Sequence, residues 1–315
     1  MMRQMEPSLR SLVAAELSEP VDPRVAAMAA AIAESYPGAA RAVLFYGSCL
    51  RERQLDGLML DFYLIVSSYD AAYAKRWLRS ANLRLPPNVF PFAHEGLAAK
   101  YAVLSEADFA RLNGRLASTV SVWARFAQPS RLVWCADDAA RQAAVDAVGR
   151  AAPTLLNAAA AVAAETRASI PPLDLWRLGF QLTYGAELRA EGSGRADAVV
   201  EADPERYARF AAPALADTAL GLAETNGFVS LAGLDQRDLL RERRLWPRRR
   251  RMGKLLTVLR LVKASFTFAG GIDYLAWKIN RHAGTGIAIK PWQRRWPLVA
   301  GLILLPRLLK RGAIR

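Results

Sequence analysis

The sequence predicts a mixed α/β fold in three parts: an α/β domain over residues 1–137, a mainly helical domain over 138–240, and a basic amphipathic segment over 241–315. Three observations carry this prediction. Short apolar runs of strand length, bounded by turn residues, recur through the first part. Ala-rich stretches with helical spacing fill the second. The third holds 19 Lys and Arg against two acids, Glu242 and Asp273, whereas the other 240 residues carry 24 against 27. The net charge of +14 therefore belongs to the C-terminal quarter, and an anionic surface is its expected partner.

Composition narrows the classes. With 53% hydrophobic and 23% charged residues the chain is globular, and 315 residues suffice for two cores. No apolar run reaches the roughly 18 residues of a spanning helix, and the first residues lack the apolar core of a signal peptide. The expected location is peripheral, on the cytoplasmic side of a membrane. Cys49 and Cys135, with His94 and His282, are too few for a disulfide framework or a zinc centre.

Element by element, residues 42–46 (AVLFY) read as a buried strand ending in Gly47-Ser48. Residues 58–67 (LMLDFYLIVS) are nearly all apolar and read as a central strand, interrupted only by Asp61. A helix is expected over 69–82 and a strand over 98–104. Ser105, three residues before Asp108, is a helix N-cap for the segment carrying Phe109 and Leu112. A strand at 131–134 closes the first domain. The helical domain follows, with Asp203-Pro204 marking one helix start. After the basic run 241–254 comes a helix over 254–268 with Leu255, Leu259, Val262 and Phe266 on one face, then Gly270-Gly271 and a second helix over 272–282. The end of the chain carries an apolar run of 11 residues, 296–306, flanked by Arg294, Arg295, Arg307 and Lys310. Too short to span a bilayer, and accompanied by Trp292 and Trp296, it suits the membrane interface. Tryptophans beside apolar runs favour lipid, so no nucleic-acid partner is expected.

A strand ending in Gly-Ser, a helix, and a neighbouring strand with an internal acid form the outline of the nucleotidyltransferase fold. Gly47 removes the side chain that would block a triphosphate, and the Ser48 hydroxyl and backbone amides can close on it. Asp61 is then placed to hold Mg2+ against phosphate oxygens. Pairing with Arg51 or Arg53 is the alternative for Asp61. The usual second acid two residues on is absent: Tyr63 stands there.

These segments resemble those of the mitochondrial-type phosphatidate cytidylyltransferases, the translocator-maintenance family. FYGSCL and MLDFYLIV are similar to its YGSG and (M/V)-(I/V)-D-F-(I/L) segments, and that family also lacks the second acid. AKYAVLS, around Lys100, resembles V-K-Y-G-V-(V/I)-S. ARFAQP places Arg125, Phe126 and Pro129 on G-R-F-x-K-P, and LTYGAELR places Tyr184, Glu187 and Arg189 on S-Y-x-G-D-x-R. The sequence departs from the pattern at Cys49, Ala102 and Glu187.

The resemblance implies Mg2+-dependent transfer of the cytidylyl group of CTP to phosphatidate, giving CDP-diacylglycerol and pyrophosphate, with the C-terminal segment on an anionic membrane surface. Under it Gly47 and Ser48 hold the triphosphate, Asp61 and Glu187 the metal, and Lys100 and Arg189 neutralise phosphates. Tyr184 packs the nucleotide or donates its hydroxyl, and Arg125 is expected to be structural. The alternatives are a nucleotidyltransferase for RNA or an aminoglycoside, and a binding protein that kept the fold without the chemistry.

Overall fold

The computed structural model describes residues 7–52, 55, 57–187, 195–267 and 288–291. Helices α1 (Leu9–Leu17) and α2 (Pro23–Glu34) precede β1 (Ala40–Tyr46), the short α3 (Ser48–Glu52) and β2 (Met59–Val66). Helices α4 (Tyr69–Ala72) and α5 (Arg76–Arg84) lead to the hairpin of β3 (Asn88–His94) and β4 (Leu97–Ser105). Then come α6 (Glu106–Asn113), α7 (Trp123–Phe126) and β5 (Ser130–Cys135). The sheet order is β3-β4-β2-β1-β5, with β2 and β4 parallel and the other pairs antiparallel.

Strand alternation gives this sheet two apolar faces. Val43, Phe45, Leu60, Phe62, Leu64 and Val103 pack on Met28 and Ile32 of α2. Leu44, Tyr63, Ile65 and Leu104 face the other way, into a larger cluster shared with the helical region. Both faces being covered explains why β2 reads as an almost unbroken apolar run.

The helical region comprises α8 (Asp138–Gly149), α9 (Ala151–Ala163), the short strand β6 (Ser169–Ile170), α10 (Pro172–Ala186), α11 (Arg195–Glu201) and α12 (Pro204–Ala216). A small hairpin of β7 (Glu224–Thr225) and β8 (Phe228–Ser230) pairs with β6, and α13 (Gln236–Thr267) follows. Helix α9 is buried along almost its whole length, and its alanines let neighbours close in. Gly179 of α10 does the same: a Cβ there would meet Leu155 Cδ2 at 2.1 Å. The apolar cluster on this side of the sheet runs from Leu9 to Trp246, across positions 137 and 240.

The expected caps are present: Ser105 accepts from the Asp108 amide at 3.2 Å, and Asp203 from the Arg206 amide at 3.0 Å. Several expectations are corrected. The helix over 69–82 is two, because Tyr73 adopts an extended backbone and buries its ring. Strand β3 was not foreseen. The helix expected from 254 begins at Gln236, and Pro247 lies within it on an exposed face. Within its basic run Trp246 and Arg249 turn inward. Arg249 is fully buried, donates to the carbonyls of Arg115 (2.6 Å) and Ala117 (3.3 Å), and lies 5.5 Å from the Trp123 ring centroid. Part of the positive charge read as surface attraction thus holds a loop. The expected helix over 272–282 and the apolar run 296–306 lie outside the described residues. No described helix is long and apolar enough to cross a membrane.

Candidate active site

The site begins where β1 ends. Gly47 has φ +98°, a conformation only glycine adopts without strain. A Cβ there would stand 3.2 Å from Oδ2 of Asp61, so the bare backbone lies directly against that carboxylate. Asp61 sits opposite Tyr46 across β1 and β2, and opposite Lys100 across the parallel β2 and β4. Lys100 Nζ meets Asp61 Oδ1 at 2.9 Å, with the two side chains 27% and 22% exposed. A cation that makes an aspartate tolerable in this strand is therefore Lys100, another residue of the predicted site; the side chains of Arg51 and Arg53 lie outside the described residues. Ser48 opens α3 and is half-buried. Cys49 is buried under β2, its thiol 3.6 Å from the Met59 carbonyl.

Glu187 arrives from the helical region, at the C-terminal end of α10. A carboxylate there faces the negative end of the helix dipole and needs compensation. Ser121 donates its hydroxyl to Glu187, and Arg260 of α13 donates to the Ser121 oxygen at 2.8 Å. Arg125 donates to the Ser121 carbonyl. Glu187 and Asp61 act on the same two groups, the Arg125 guanidinium and the Tyr63 hydroxyl. Burial works against the charge on Arg125, but Tyr63, Glu187, Tyr46 and Asp61 outweigh it and raise its pKa. Burial raises the Tyr46 hydroxyl, helped by Asp61 and Tyr63, and it raises Tyr63 too. Both phenols stay neutral donors. Burial lowers Arg260, against the pull of Tyr63 and Glu187.

Gly47, Asp61 and Lys100 thus touch, and Glu187 faces the charges that Asp61 faces. Tyr184, one turn back on α10, packs against the large apolar cluster. Arg189 lies outside the described residues. Arg125, expected to be structural, stands among these groups, and the sequence marks it only through its place in the ARFAQP segment. Ser121 and Arg260 also stand there, beside Glu187. Nothing local marks either, since Arg260 reaches the site only because α13 crosses it.

The donor set is hard oxygen: one carboxylate beside a bare glycine and a second held by a serine. Among the described residues no group of three or more His, Cys, Asp or Glu gathers. Two carboxylates suit magnesium, which completes its shell with water and substrate phosphates.

No protein-family model matches the chain, and no curated protein does. Among solved structures the chain is similar to a nucleotidyltransferase-like protein from Exiguobacterium sibiricum, at 9% identity and a TM-score of 0.27, over 91% of this chain and 92% of that one. A likeness at that score carries neither fold nor chemistry.

Proposed function

We propose that the protein is a nucleotidyltransferase that moves the cytidylyl group of CTP onto phosphatidate at an anionic membrane surface. The observation that supports this best is the Asp61–Lys100 pair against the bare backbone of Gly47, with Arg125 under the influence of both Asp61 and Glu187. The described part of the site offers carboxylates, cations and neutral phenols, and the described histidine, His94, stands at the end of β3. That set suits an acceptor that needs no general base. A phosphomonoester is already anionic at neutral pH, its second pKa being about 6. The task is to let one anion approach another.

In this reading Gly47 and Ser48 receive the triphosphate, and Asp61 and Glu187 hold magnesium. Bound there, the metal neutralises phosphate charge as a Lewis acid. Lys100 and Arg125 line the reacting phosphates, with Arg260 completing the positive wall; Tyr46 and Tyr63 donate hydrogen bonds. Arg189 keeps the phosphate-neutralising role that the resemblance implies. A phosphatidate oxygen attacks the α-phosphorus of CTP in line, and a new P–O bond forms. The bond from the α-phosphorus to the bridging oxygen breaks, and pyrophosphate leaves with that electron pair. No proton must move in the transfer.

The test is pyrophosphate release from the purified protein with CTP, Mg2+ and phosphatidate vesicles, with ATP, GTP and UTP as controls. Release with CTP and phosphatidate together supports the proposal. Release that ignores phosphatidate but follows added RNA or an aminoglycoside would replace the acceptor. No release with any combination would leave a binding protein.

A further inference from the structure

Helix α5 and the outer face of α13 present the same surface chemistry beside the site. On α5, Arg76, Trp77, Leu83 and Arg84 share one face, since 76 and 83, and 77 and 84, are seven residues apart. Trp77 is 49% exposed and Leu83 62%. The opposite face is pinned: buried Asn82 donates to the Val103 carbonyl at 2.9 Å and accepts from the Asn88 amide. The outward pair is therefore held in place on a fixed helix. On α13, Arg244, Arg248, Arg251, Leu255 and Leu259 follow one another along a single exposed stripe, with the two leucines 53% and 41% exposed. The inner side of α13 ties the two helices together. Arg260 donates to the Pro86 carbonyl at 3.0 Å, and Lys263 to the carbonyls of Leu85 and Pro87, in the turn that follows α5.

We infer that α5 and this stripe of α13 form a bilayer-docking face for anionic lipid, distinct from the C-terminal apolar run. The inference rests on the proposed function for its partner. Half-exposed tryptophan and leucines flanked by arginines match an interface where apolar groups enter the acyl boundary and cations meet headgroups. The charge is one-sided: α5 holds no acid, and from Gln236 onward the acids of α13 are Asp238, which lies in its first turn, and Glu242, which is buried. The face sets three exposed leucines, Leu83, Leu255 and Leu259, beside Trp77, and leucines offer bases no stacking surface. The Arg260 link to Ser121 and Glu187 sets the face at the rim of the site, where a lipid headgroup can enter while its chains stay in the bilayer.

The test uses the full chain with Cys135→Ser and an environment-sensitive fluorophore on Leu83→Cys, and a second protein labelled at Ala143→Cys, an exposed position on α8. Vesicles of phosphatidylcholine with 30 mol% phosphatidate, on the order of a typical anionic fraction, should shift emission at 83 to the blue and leave 143 unchanged, while pure phosphatidylcholine does little. Arg76→Gln with Arg84→Gln should weaken vesicle binding at least about tenfold, the scale set by two cations at an anionic leaflet. Both readouts need no CTP, so they stand even if cytidylyl transfer fails. The inference is overturned if position 83 reports no shift. It is also overturned if 83 is already blue-shifted without vesicles, which would mean residues 268–315 cover the face. An equal shift with single-stranded RNA would make it a general polyanion surface and overturn it as well.

Discussion

Asp61 is the residue on which the site turns, because it lies against Gly47 and pairs with Lys100. Asp61→Asn keeps its shape and removes its charge. Turnover should fall by more than tenfold, while the melting temperature moves only a few degrees, since a half-exposed ion pair contributes about 1 kcal/mol or less. Activity near wild type would show that another acid does the work. Lys263 gives a pH signature. Burial, reinforced by Arg260, lowers its pKa from 10.5 to about 7. Between those values the unfolded chain keeps a proton that the folded chain has released, so the group costs stability at low pH and the cost fades as pH rises. Denaturant titrations of wild type and Lys263→Met should favour the variant more at pH 6.5 than at pH 9.5, by this linkage. A gap that is equal at both pH values would mean the ammonium is fully accommodated. Asp61 was legible because a charge inside an apolar strand is costly and announces itself, whereas its pairing with Lys100 across β2 and β4 was not. Ser121 was not, since a serine before an apolar run carries no such signal.

At the scale of elements, the decisive contact is between α13 and the end of α10. A Cβ on Gly253 would lie 2.2 Å from the Ala186 carbonyl oxygen, a backbone atom that cannot step aside. Gly253→Ala should therefore push α13 away from the residue next to Glu187. Expected are a loss of about 1–3 kcal/mol in denaturant unfolding and a loss of turnover as Arg260 leaves Ser121. A variant as stable and active as wild type would place the closeness of these helices outside the mechanism. Strands β1, β2 and β4 were visible in the sequence because packing on both faces makes them continuous apolar runs. Strand β3 was hidden: it is an edge strand with Pro91, and its residues are mostly half-buried or exposed. The full length of α13 is hard to see in the sequence, where Pro247 and a run of arginines resemble a break. Pro247 faces outward, while Trp246, Arg249 and Gly253 anchor the helix on its inner side.

Across the whole molecule, the first and the helical regions are joined by charge as well as by apolar contact. Arg206 of α12 donates to Glu16 of α1 at 2.5 and 2.9 Å and to the Ala127 carbonyl at 3.1 Å, and it lies 4.4 Å from the Phe210 ring centroid. Both side chains are buried. Arg206→Met should cost about 3–5 kcal/mol in denaturant unfolding, because Glu16 is left charged without a partner. Adding Glu16→Met should restore most of that loss, and a double variant as unstable as the single one would refute the pair's role. Such a link between distant segments has no sequence signature, which is why a shared core across position 137 could not be read from composition. Cytidylyl transfer joins these scales into one reaction, and following the phosphorus itself decides whether it occurs. With CTP labelled at the α-phosphorus and phosphatidate vesicles, wild-type protein should carry the label into the chloroform-extractable lipid, Asp61→Asn should not, and label at the γ-phosphorus should stay in the water phase as pyrophosphate. Label from the γ-position in the lipid, or no lipid label at all while pyrophosphate is released, would contradict it.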